Sequence, residues 1–254
     1  MTRFAALYPA TAHTFLPALD EDVTLDDEAG HHLSRVRRVR AGETLTAADG
    51  DGRWRPYAVV SVRSGAVDLH AQGAPVVEPP LEPRLVVAFA LTKGTKPDLA
   101  VQKLTELGVD GVTLLSTRRS VRRWGGSRAD AAVARLRRIA REAAAQCRRA
   151  RLPEIDGVLP VTELRGRPGL VVADPAGEEL ERLHVPPGGE WVLVVGPEGG
   201  FDPDEAAALT SPGQSEDDEG PTRLRLGLHV LRAETAAIAG AAVLATRRAI
   251  REDP

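Results

Sequence analysis

Cysteine is almost absent from this chain: Cys147 is the single one among 254 residues. A lone thiol excludes an internal disulfide and any multi-cysteine zinc site. Aromatic residues are scarce as well, at 4%, so the core has to be built from Ala, Val and Leu. No apolar run is long enough to span a bilayer, and no apolar stretch of the signal-peptide kind stands at the N-terminus. The expectation is a soluble cytoplasmic protein with no membrane partner. Three signatures are also missing. A Walker loop would end in Gly-Lys-Ser/Thr. A dinucleotide fingerprint would place Gly-x-Gly-x-x-Gly after the first strand. A serine hydrolase would carry Gly-x-Ser-x-Gly.

What is present is unevenly placed. The apolar fraction is an ordinary 43% and the net charge is −3. The 33 basic residues are nearly all arginine, and twelve arginines fall between Arg118 and Arg151, against two acids, Asp130 and Glu142. Acid gathers at Asp20–Glu28 and Glu216–Glu219. Such asymmetry points to a polyanion-binding face on a helix over 127–149, the bland alternative being a solvated surface.

Residues 1–72 show short apolar runs separated by turn signals such as Asp49-Gly50-Asp51-Gly52. These predict five or six strands, with a helix over Asp27–Val39, closed into a compact barrel. The adjacent His31 and His32 on that helix read as packed or surface histidines, because neighbours on a helix point about 100° apart and no carboxylate accompanies them. Residues 73–83 (GAPVVEPPLEP) read as a stiff linker. From Arg84 to the C-terminus at residue 254, apolar strands alternate with amphipathic helices, predicting an α/β domain with a mostly parallel sheet. The terminal helix has an unusually small face, with Ala236, Ala237, Ala239, Gly240 and Ala241.

Within that domain, Trp191–Glu205 (WVLVVGPEGGFDPDE) reads as strand, glycine loop and helix. Asp202, Pro203 and Glu205 predict a capping box with proline at the first helical position. The ends of three strands carry turns: Asp174-Pro175, Gly196–Gly200, and Gly227 onward. A ligand between them would be held mainly by backbone.

LVVGPEGGFDPDE (193–205) and LGLHVLRAETA (226–236) together resemble the RsmE family of 16S ribosomal RNA uridine-N3 methyltransferases, of the SPOUT superfamily. The likeness runs along the whole chain. His31, His32 and Leu33, with Val36 and Gly42, are similar to the family's barrel. Lys93, Lys96, Lys103, Glu106, Leu107 and Gly108 match its lysine and ELG stretch, and Ala143, Gln146, Arg149, Leu152 and Pro153 its next block. Departures occur at Val36-Arg37-Arg38, at Arg135-Leu136 and in the acidic insertion.

The resemblance implies an α/β fold class made of an N-terminal PUA-like β-barrel and a C-terminal SPOUT domain with a deep trefoil knot. It also implies a homodimer and S-adenosylmethionine as methyl donor, with no metal. The cofactor would lie against Val194, Val195, Gly196, Pro197, Glu198, Gly199 and Gly200, and against Leu226, Gly227, Leu228, Val230 and Leu231. The target would be a uridine near the decoding centre, in free 16S RNA or in the small subunit. Arg232 and Arg3 are candidates to stabilise negative charge on the uracil oxygens. Glu234 and Glu198 are candidate bases, each with a structural competitor: capping for Glu234, loop hydrogen bonding for Glu198. RNA contacts are expected at His31, Arg35, Arg38, Lys93, Lys96, Arg118, Arg122, Arg123 and Arg149. The rival readings are a knotted methyltransferase for another RNA, and a non-catalytic ribosome-assembly factor.

Overall fold

The computed structural model describes residues 10–26, 28–63, 65–92, 94–120, 126–180, 183, 189–211 and 220–251. Arg3, Lys93, Arg122, Arg123 and the acidic Glu216–Glu219 lie outside the described residues. The chain forms two compact units. One comprises Met1–Pro80 with Ala144–Leu152, the other Leu81–Ala143 with Pro153–Pro254. The expected second domain contained residues 144–152, whereas their contacts place them in the first unit.

The first unit holds β1 (Ala12–Phe15), β2 (Asp22–Leu25), α1 (Glu28–His31), β3 (Thr44–Ala48), β4 (Arg53–Arg63), β5 (Ala66–Ala71) and β6 (Val76–Val77). Its sheet runs β1-β3-β4-β5-β2, with β6 beside β4. The Asp49–Gly52 turn joins β3 to β4 as the sequence suggests. The Asp49 carboxylate accepts from the amides of Asp51 and Arg53, and Ala48 faces Trp54. Leu16, Leu33, Val39, Leu45, Tyr57, Val59 and Leu69 fill the core.

Two expectations fail here. The sheet is not closed: β1 and β2 end the path, and among the described residues they do not pair with each other. Both are only four residues long. Closure would require tilt and stagger shared across every strand. Nor does one helix run to Val39. After α1 the chain widens into a π-helical turn, His32–Arg37, ending at Arg38 with φ 55°. Leu33 and Val39 are both buried. Six residues of α-helix would set them roughly 240° apart; the wide turn and left-handed Arg38 bring both inward.

The second unit is built on a six-stranded sheet, parallel throughout, in the order β12-β10-β11-β7-β8-β9. Its strands are β7 (Arg84–Ala90), β8 (Gly111–Ser116), β9 (Glu154–Pro160), β10 (Leu170–Glu178), β11 (Glu190–Val195) and β12 (Thr222–Leu224). The helices are α2 (Lys96–Glu106), α3 (Ser127–Cys147), α4 (Pro203–Leu209) and α5 (Ala233–Arg251). Both faces of the sheet are covered, which is why β7 and β11 are unbroken apolar runs. Leu85, Val87, Phe89, Trp191, Leu193 and Val195 enter one core, with residues of α2 and α5; Val86, Ala88, Val192 and Val194 enter the other, with Leu209. The small face of α5 is used inside the chain. Ala236, Ala237 and Ala241 are buried, and a Cβ on Gly240 would lie 2.6 Å from Leu193 Cδ2. Near its far end, the buried Arg248 donates to the Gly108 carbonyl at 2.7 Å and to Asp110.

Candidate active site

Because all six strands are parallel, their carboxyl ends share one edge. β11 lies between β10 and β7. From β7 the chain moves on to β8 and β9; from β11 it crosses to β12 on the opposite side. The loops leaving these neighbours therefore diverge, and ligands of open α/β sheets bind at such a point. Gly196–Gly200 is the loop that leaves β11.

That loop is shaped by what its glycines lack. A Cβ on Gly196 would stand 2.9 Å from the Phe201 ring, which folds back beneath the loop. Gly200 has φ +71° and donates to the Pro197 carbonyl at 2.8 Å, closing a tight turn. Gly199 and Gly227 have no such crowding: a Cβ at Gly199 meets only Arg119 at 3.8 Å, and one at Gly227 meets nothing within 4 Å.

The capping box forms as expected. Asp202 accepts from the Asp204 amide at 3.2 Å, and Glu205 Oε2 from the Asp202 amide at 2.9 Å. The same Glu205 reaches further: its Oε1 accepts the Arg118 amide at 2.7 Å. Arg118 then clasps Asp202 at 2.7 Å and Asp204 at 2.9 Å, and Arg119 Nη1 donates to the Gly199 carbonyl at 2.8 Å. The loop after β8 is thus tied to the loop after β11. The sequence placed Arg118 on RNA. Its position just past a parallel strand was the signal for this second role.

Lys96, also expected on RNA, sits between two carboxylates. Its ammonium lies 3.2 Å from Glu234 Oε1 and 3.3 Å from Glu198 Oε1. Its pKa is raised, first by the hydrogen bond to Glu234 and then by that to Glu198. Both candidate bases are therefore brought together by one lysine. Among the described residues, buried Glu234 Oε2 has no hydrogen-bond partner, and neither has buried Thr92 Oγ1 just past β7. Among the described residues Glu234 makes its side-chain contact with Lys96 and not with the first turn of α5. Arg232 is exposed and makes no ion pair among the described residues.

Of the other expected cofactor positions, Val194, Val195 and Pro197 are buried, and Leu226 and Leu231 pack partly against the core. Leu228 and Val230 are 91% and 82% exposed. The Asp174-Pro175 turn is not a strand end. It is a bulge inside β10, where Asp174 holds Arg223 at 2.7 Å.

The expected polyanion face of α3 is largely engaged within the chain. Arg135 pairs with Asp98 at 2.7 Å, Arg137 donates twice to the Ile155 carbonyl, and Arg138 pairs with Glu142 at 3.6 Å. Arg149 lies past the end of α3, and its carbonyl receives His13 Nε2 at 3.0 Å. In the first unit, by contrast, His31, His32, Arg35, Arg37, Arg38 and Arg40 are all exposed along one short stretch.

The donor set suits an adenosine-bearing sulfonium. Bare glycine backbone admits a flat ring, and the orphaned Glu234 Oε2 and Thr92 Oγ1 await a polar partner. Among the described residues no group of three or more His, Cys, Asp or Glu is arranged to hold a metal, and no helix is long and apolar enough to cross a membrane.

Residues 79–245 match the family model of an RNA methyltransferase domain, and residues 25–70 that of an RNA methyltransferase PUA domain. The ribosomal RNA small subunit methyltransferase E of Mycobacterium bovis is 37% identical over 231 residues, covering 87% of this chain and 85% of that protein. Its Bacillus subtilis namesake is 28% identical over 225 residues, covering 84% and 85%. A Legionella pneumophila protein solved with bound SAM superposes with a TM-score of 0.77 at 26% identity, over 93% of this chain and 97% of that one. The Neisseria gonorrhoeae ribosomal RNA small subunit methyltransferase E, solved bound to S-adenosyl methionine, shares the fold with a TM-score of 0.78 at 24% identity, over 93% and 97%. With its sheet, its glycine loop and these relatives in agreement, the chain belongs to the ribosomal RNA small subunit methyltransferase E family.

Proposed function

We propose that the chain methylates 16S ribosomal RNA of the small subunit at N3 of a uridine near the decoding centre, using S-adenosylmethionine. The observation that carries this reading is the switch-point loop, Gly196–Gly200, with Lys96, Glu198 and Glu234 gathered beside it. The backbone of 194–200 and 226–231 would hold the cofactor. Bound there, it supplies an activated methyl group on a sulfonium. The chain's own work is to orient the uracil, exclude water and remove the N3 proton. Glu234 is the better base of the two, being largely buried while Glu198 is 59% exposed. Arg232, uncommitted among the described residues, is a donor for charge spreading onto the uracil oxygens; Arg3 is a second, outside the described residues.

The rest of the reading follows the family. It comprises a SPOUT-type trefoil knot in the second unit, a homodimer formed through it, and a cytoplasmic location with the ribosome. The exposed Leu228 and Val230 suit a face that a cofactor or a second copy covers. The exposed basic stretch from His31 to Arg40 suits phosphate contact, and the target base would be unstacked to meet the methyl donor.

The test is methyl transfer from labelled S-adenosylmethionine to small subunits, naked 16S RNA and transfer RNA, followed by nucleoside mapping. The expected product is N3-methyluridine at one position of the small-subunit RNA. Label on transfer RNA alone, or at another atom, would overturn the substrate. Failure to bind the cofactor at millimolar concentration would favour an assembly factor.

A further inference from the structure

Lys96 stands between two carboxylates. Its ammonium is shared between Glu234 and Glu198. Glu234 keeps only 11% of its side chain exposed, and a carboxylate so far from water calls for a paired cation. No other cation pairs with it among the described residues. Arg232 precedes it by two positions and makes no ion pair, and Arg119 directs Nη1 at the Gly199 carbonyl. The remaining oxygen, Oε2, is buried and has no hydrogen-bond partner among the described residues. An acceptor left so is unfavourable, and a ligand's proton donor would relieve it.

We infer that Lys96 is a positioning residue for proton removal: its ammonium pairs with the Glu234 carboxylate at Oε1 and fixes its orientation, leaving Oε2 to accept the proton of uracil N3. In that step the N3–H bond breaks, an Oε2–H bond forms, and the electron pair stays on N3. Lys96 keeps its protons, and Glu234 later gives the acquired one to water. Glu198 competes for the same ammonium and so weakens its hold on Glu234. The inference rests on the uridine-N3 reading.

The test pairs carboxyl carbon-13 NMR of Glu234 in the cofactor-free protein with the pH profile of methyl transfer. Glu234→Gln identifies the resonance. Lys96→Met is expected to raise the Glu234 midpoint by at least one pH unit and to move the acidic limb of kcat by the same amount. Lys96→Arg should restore both, and Glu198→Gln should move both downward. If Lys96→Met fails to fold, Lys96→Gln serves in its place. An unmoved Glu234 midpoint overturns the inference, as does a loss of turnover equal at every pH. A loss confined to RNA affinity, with a shallower salt dependence, would make Lys96 a phosphate contact instead. If the wild-type protein makes no N3-methyluridine, the underlying reading fails, whatever Glu234 titrates at.

Discussion

Glu205 and Arg118, on loops from different strands, are joined by a hydrogen bond from the Arg118 amide to Glu205 Oε1 at 2.7 Å, while Glu205 Oε2 caps α4 through Asp202. One buried carboxylate thus fixes both the start of a helix and the neighbouring loop. Glu205→Ala orphans two backbone amides at once. It should cost about 3 kcal/mol, from the loss of a cap and of a charge-assisted bond. Glu205→Gln, which keeps one good acceptor, should cost about 1 kcal/mol. Urea unfolding measures both. A change under about 0.5 kcal/mol for the alanine variant would show that the tie contributes nothing.

Gly199 and Gly227 separate binding from folding. Neither has a crowded Cβ position or a left-handed backbone. Alanine at either site should leave stability within about 0.5 kcal/mol of wild type. Cofactor affinity should drop at least tenfold, because the methyl group enters the space a ligand would take. Calorimetry with S-adenosylmethionine, beside a melting curve, checks this. Unchanged affinity in both variants would move the cofactor away from these loops.

His13 makes the first unit sensitive to acid. It is buried between Thr46 Oγ1 at 2.8 Å and the Arg149 carbonyl at 3.0 Å, and its pKa is lowered to about 4, first by burial. In the folded chain it takes a proton only near pH 4, but near 6.5 once unfolded. The unfolded chain therefore holds the extra proton between those values. Stability should be flat above pH 6.5 and fall as pH drops towards 4, by about 2 kcal/mol between pH 7 and 5. His13→Gln should remove this slope in urea midpoints measured at the two pH values.

Arg38 holds φ 55° without being glycine. Such a conformation costs about 1–2 kcal/mol, part of which glycine's own entropy would offset. Arg38→Gly should therefore raise stability by about 0.5–1 kcal/mol while weakening RNA binding and flattening its salt dependence by one phosphate contact. Tighter melting with unchanged salt slope would leave the exposed basic stretch without an RNA role.

Local chemistry made parts of this molecule legible in its residues. The capping box at Asp202–Glu205 and the Asp49–Gly52 turn are set by neighbours in sequence, and β7 and β11 announce themselves as apolar runs. Relationships between distant segments were hidden. Parallel strands carry no local mark of their partners, so the order placing β11 beside β7 could not be read. The edge strand β9, polar and ended by Pro160, lacks alternation. Residues 144–152 join the first unit through contacts such as His13 with Arg149, 136 positions apart. In the site, the two glutamates were visible as candidates, but the lysine between them lies 102 positions from one of them.

Gly240 sets a tolerance for the whole site. The missing side chain lets α5 settle onto Leu193 of β11, and Glu234 stands six residues nearer the start of that helix, roughly 9 Å along it. The strand it rests on ends in the glycine loop. A methyl group in the core would lift the helix and carry the carboxylate away from the loop, like a shim driven under one jaw of a vice. The reach between acid and ligand is thus gauged at a point that touches neither.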